Sequence, residues 1–157
     1  MKRMLLKMAI MAAAGSLLVC NSVFSQQILP PAKKAAHVEI LQGPALEFAR
    51  DDLAIVRWTT NNPGGSDDHF GVVRYGTNPK DMSQIAKSHI RLNQAHSETM
   101  FRVRMDGLRP KTTYYYTVTS TESNGKSDGE ESPVNNFTTP AAGEHIEAYP
   151  QPVQQPR

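Results

Sequence analysis

The run from Leu108 to Val118 constrains the fold more than any other part of the chain. Leu108-Arg109-Pro110-Lys111 leads into Thr112-Thr113-Tyr114-Tyr115-Tyr116-Thr117-Val118, where Thr112, Tyr114, Tyr116 and Val118 share one face of an extended strand. A tyrosine early in a strand, just after a turn, is the sequence form of a tyrosine corner: the ring packs inward and the hydroxyl bonds back to the backbone of the incoming loop. The device belongs to Greek-key sandwiches. It specifies an architecture and no reaction.

Alternation elsewhere extends the pattern. His37 to Leu41 predicts a first strand, interrupted at Gly43-Pro44 and resumed over Ala45 to Phe48. Asp52 to Thr60 follows, with Ala54, Val56 and Trp58 on one face and Leu53, Ile55 and Arg57 on the other. Asn61 to Ser66 carries the turn residues of a loop. Phe70 to Tyr75, a weaker edge over Ser83 to Ile90, Thr99 to Met105, the tyrosine strand and Val134 to Thr139 complete the set. Turn signals recur every ten or so residues and no helical period is sustained, which predicts an all-β, seven-stranded Greek-key sandwich. Trp58, Tyr75, Leu108, Tyr114 and Tyr116 are its expected core.

The two ends differ in character from this body. A basic start (Lys2, Arg3, Lys7), an apolar run through Cys20 and a polar exit read as a signal peptide over residues 1–25. Residues 26–35, with Pro30-Pro31, read as a linker, and residues 36–140 as one domain. Residues 141–157 hold Pro150, Pro152 and Pro156 among glutamines and predict a disordered tail. Loss of the leader turns a formal charge of +2 into −1, which removes the electrostatic case for a nucleic-acid partner. It leaves no membrane span and no cysteine, since Cys20 is the only one. A secreted or periplasmic location follows. Leu17-Leu18-Val19-Cys20 also resembles a bacterial lipobox with Val19 in place of a small residue, so lipid anchoring through Cys20 is the alternative.

Trp58, Tyr75 and the Leu108–Val118 run together resemble a fibronectin type III domain, an immunoglobulin-like sandwich. Four segments narrow the resemblance: Ile55-Val56-Arg57-Trp58-Thr59-Thr60, Val72-Val73-Arg74-Tyr75-Gly76-Thr77, Thr113-Tyr114-Tyr115-Tyr116 and Phe137-Thr138-Thr139-Pro140. They look like the N-terminal domain of purple acid phosphatases, a fibronectin-like sandwich that precedes a catalytic domain. The resemblance implies that the two-metal chemistry of such enzymes lies in that other domain, in motifs such as Gly-Asp, Gly-Asn-His and Gly-His-x-His. None of these occurs in this sequence. No catalytic residue carries over, and the expected chain is not an enzyme and has no cofactor.

Candidate sites are few. Asp67-Asp68-His69 offers metal-capable side chains, but consecutive residues of an extended chain point alternately and no second cluster lies at ligand spacing, so the sequence predicts a solvated loop and no metal. The acidic stretch Glu122 to Ser132 lacks calcium-loop spacing and reads as a long hairpin tip. No serine sits in a nucleophile elbow. What remains is a surface. Arg57, Arg102 and Arg104 are expected on the outer face of one sheet with Leu53, Ile55 and Met100, their repulsion offset by Glu39, Glu98 or a partner's carboxylate. Phe70, Val72, Arg74 and Tyr115 are expected outward on the other. Arginine and apolar content on a sheet face resembles a docking surface for a protein or cell-surface partner, or for a separately encoded phosphatase.

Overall fold

In a computed structural model, which describes residues 35, 37–64, 66–93 and 95–148, eight strands form two packed antiparallel sheets. They are β1 (Ile40–Arg50), β2 (Leu53–Asn61), β3 (Asp68–Gly76), β4 (Gln84–Arg91), β5 (Glu98–Asp106), β6 (Thr113–Glu122), β7 (Asn135–Thr138) and β8 (His145–Glu147). One sheet has the order β5-β2-β1-β8, the other β4-β3-β6-β7. The expected leader and most of the linker lie outside the described residues.

The alternation read from sequence is the alternation of burial. Along β5, Thr99, Phe101, Val103 and Met105 are buried while every intervening residue is exposed. Ala54, Val56 and Trp58 of β2 face the same interior, and Val73, Tyr75, Tyr114, Tyr116, Val118 and Phe137 close it from the other sheet. Trp58 stacks on Phe101 with ring centroids 5.3 Å apart. All five expected core residues lie in this one cluster.

The tyrosine corner is Tyr114. Its hydroxyl accepts a hydrogen bond from the backbone N–H of Arg109 at 3.0 Å. Thr139 locks the same corner from the far end of the domain: its hydroxyl donates to the Arg109 carbonyl at 2.5 Å and accepts from the Thr112 N–H at 3.0 Å. The corner is thus tied to the start of β6 and to the residue that follows β7. β1 is less regular, with register shifts between Ile40 and Gln42, Gln42 and Ala45, and Leu46 and Phe48. Gly43 has φ +82°, and a Cβ there would lie 3.0 Å from the Arg57 carbonyl oxygen. The sequence break at Gly43-Pro44 is therefore a bend in one strand.

Two expectations about strand number and tail need correction. There are eight strands, and the eighth falls in the stretch expected to be disordered. His145, Ile146 and Glu147 pair with Arg50, Ala49 and Phe48, so ordered chain continues past 140. Gly143 N–H bonds to Asp51 Oδ2 at 3.1 Å and Ala148 N–H to the Glu47 carbonyl at 3.2 Å. Residues 149–157 lie outside the described residues.

Candidate binding surface

The pairing of β2 with β5 decides where the arginines go. Arg57 stands directly opposite Arg102, and Ile55 opposite Arg104, on the outer face of the first sheet. On the other side of β2, Ala45 faces Arg57 and Phe48 faces Ile55. Met100, at 48% exposure, extends the patch on β5. Leu53 shares the face by register, yet it is buried.

The counter-charges of Arg102 and Arg104 are not those expected. The irregularity between Leu46 and Phe48 turns Glu47 onto the outer face, where Arg102 grips both its carboxylate oxygens, through Nε at 2.9 Å and through a terminal nitrogen. Two strand spacings separate β1 from β5, so this fork spans the central strand β2 and its Arg57–Ile55 stretch. Arg104 Nε donates to Asp106 Oδ1 at 2.7 Å. Arg50, at the end of β1, pairs with Asp52 at 3.1 Å. The face is a mosaic of paired charges set among apolar side chains, not a bare cationic strip. A depression of about 150 Å³ beside Gln42, Gly43, Ala45 and Arg57 is too small for an ordinary small-molecule site.

The sequence reading of Asp67-Asp68-His69 as a solvated loop holds for the aspartates and fails for the histidine. β3 begins at Asp68, so alternation turns Asp68 outward, where it bonds His89 at 3.0 Å, and His69 inward, where it is fully buried. His69 Nδ1 lies 2.5 Å from Asp128 Oδ2, while Nε2 faces the carbonyl oxygens of Ser66 at 2.8 Å and Gly64 at 3.0 Å. Nε2 must therefore carry a proton, and one further proton is shared between Nδ1 and the carboxyl. Burial raises the Asp128 pKa above the ordinary carboxylate value, against the opposing pull of the His69 bond. With both ring nitrogens engaged, His69 ties the loop at 62–66 to the hairpin at 122–132. It offers no nitrogen to a metal or substrate. Among the described residues no three metal-capable side chains cluster. Nothing in the local sequence signals this pair, whose members are 59 residues apart.

A family model described as the purple acid phosphatase N-terminal domain matches residues 42–139. The chain belongs to this family. The match covers the sandwich from β1 to the end of β7 and leaves β8 outside. Structures similar to this purple acid phosphatase N-terminal domain include the sensor domain of the anti-sigma factor RsgI4 in Pseudobacteroides cellulosolvens, at 16% identity and a TM-score of 0.50, covering 77% of this chain and 90% of that one. They also include the human contactin 1 fn3 domain, at 16% identity and a TM-score of 0.38, covering 85% and 97%. The chicken CNTN1 FN1-FN3 domains match at 15% identity and a TM-score of 0.41, covering 70% and 33%. No protein with a curated description matches in sequence. The strand orders β5-β2-β1 and β4-β3-β6-β7, the Tyr114 corner and the family match make the sandwich a fibronectin type III-like one.

Proposed function

We propose that this purple acid phosphatase N-terminal-like domain is a non-catalytic, exported module that binds a protein partner through the outer face of β5-β2-β1. The observation that carries the reading is the Arg57–Arg102 cross-strand pair, set among Ile55, Phe48 and the exposed Met100 and spanned by the Arg102–Glu47 fork. Arginine beside exposed apolar side chains is characteristic of interface centres. Because the charges are largely paired within the face, it suits a protein surface of mixed charge rather than a polyanion. Export rests on the leader-like residues 1–25.

Family membership favours one more specific version, in which the partner is a separately encoded metallophosphoesterase and the domain docks in trans as its relatives precede a catalytic domain in cis. Pull-down from the native extracytoplasmic fraction tests both. Replacing Arg57, Arg102 and Arg104 with serine is expected to abolish capture at unchanged fold, and a phosphatase among the captured proteins selects the second version. Full capture by the triple variant overturns the surface assignment.

A further inference from the structure

The second sheet ends on an edge unlike the other three. β4 runs eight residues in unbroken register with β3, from Asp68↔Arg91 to Tyr75↔Gln84, and among the described residues no strand is hydrogen-bonded to its far side, although β5 of the other sheet runs close by. Its backbone donors and acceptors on that side form a template for another strand. It contains no proline, glycine or bulge to block pairing. By contrast, β7 is four residues long between Pro133 and Pro140, and β8 is three. β5 is long, but acids stand at both its ends and its arginines already hold Glu47 and Asp106.

Charge then selects the partner. No acidic residue occurs from Met82 to Ser97. On the outer face of β4, Ile85 is 48% exposed, and Lys87 and its diagonal neighbour Arg74 on β3 have no acidic partner within 4 Å among the described residues. A lysine on an edge strand deters neutral and basic strands and admits one that brings a carboxylate. A second copy is disfavoured, since its β4 would oppose like charges and its β5 would bring Arg102 and Arg104. A polysaccharide or lipid headgroup would meet the cations but leave the edge amides unpaired.

We propose that β4 accepts an acidic, extended polypeptide segment, which adds as a fifth strand to the β4-β3-β6-β7 sheet with a carboxylate against Lys87. The proposal rests on the reading of the chain as a partner-binding module and uses a surface separate from the arginine face. Main-chain pairing supplies affinity and the lysine supplies selectivity.

The probe is a synthetic octapeptide alternating valine and glutamate, with a valine–lysine counterpart and a valine–glutamate peptide N-methylated along one edge. Titration of isotope-labelled protein, followed by amide shifts and exchange, should perturb and protect Gln84–Arg91. The lysine peptide should bind about tenfold more weakly, as two or three cross-strand charge pairs imply. Lys87→Glu should largely erase that preference, and N-methylation should abolish binding. The serine triple variant at Arg57, Arg102 and Arg104 should bind the peptide normally, so failure of the arginine face and failure of the edge are read separately. Shifts confined to other strands or loops, equal binding of both charges, undiminished binding of the methylated peptide, or no binding at millimolar concentration each overturn the proposal.

Discussion

A Cβ on Gly71 would lie 3.0 Å from Cη2 of Trp58. The same atom would lie 2.9 Å from Val103 Cγ2 and 3.1 Å from Phe101 Cδ1, so three buried side chains of the opposite sheet close over the β3 backbone at this glycine. None of the three is the free end of a flexible chain. Gly71→Ala should destabilise the domain by ~1–3 kcal/mol through overpacking. Trp58→Ala, which empties the same place, should cost ~3–5 kcal/mol, enough to unfold a domain of ordinary stability. Urea denaturation measures both. An unchanged midpoint in either variant contradicts the interleaving of the sheets.

The His69–Asp128 pair is buried on both sides, with side-chain exposures of 0% and 2%. Removing one partner strands the other in the interior, so Asp128→Ala should cost ~3 kcal/mol. His69→Ala should cost a similar amount, and the double variant should be well short of additive, with a coupling of about 1 kcal/mol or more. Full additivity in the double-mutant cycle would show that the pair does not act as a unit.

Alkaline stability has a defined window. Burial raises the Tyr116 pKa from 10.0 to about 12. The folded state therefore holds the phenol proton more tightly than the unfolded chain, so this contribution is fully present below pH 10 and is lost as pH rises through 12. The loss from this one group is at most ~3 kcal/mol. Tyr75 shifts the same way, chiefly through burial. Melting temperature against pH should fall across that interval in the wild type and fall less steeply in Tyr116→Phe.

Surface and corner residues should separate cleanly in their effects. Arg102 is more than half exposed, so Arg102→Ser should cost no more than ~1 kcal/mol even though the Glu47 fork is lost. Thr139→Val removes a buried hydroxyl that both donates and accepts at the tyrosine corner, and should cost ~2 kcal/mol. Thermal unfolding of the two variants under one condition tests the ordering.

The core was legible in the sequence because strand burial has a period of two, and β5 obeys it at every position. Tyr114 was legible because a corner needs a tyrosine soon after a turn. β8 was not, since a three-residue strand with every side chain exposed makes its case through backbone pairing and one His145–Phe48 ring contact, which no alternation announces. Glu47 was missed because its place on the outer face depends on the irregularity in β1, and strict alternation has no place for an irregularity. His69 was half legible: alternation correctly separated it from Asp68, but its partner Asp128 lies in a hairpin whose return onto β3 no local pattern announces.

The two flanks of the sandwich differ in what they leave available. β8 and β7 close the two sheet orders at one end, while β4 and β5, which lie close to each other, close them at the other. Ala148, the last described residue, follows directly on β8, at the end of the sheets closed by short strands. Whatever is tethered there, whether a second domain, a surface or a fused reporter, leaves the long edges facing away from the tether. The module has a mounting side and a presenting side, and an attachment made through the C-terminal end would display the β4 and β5 edges outward rather than bury them.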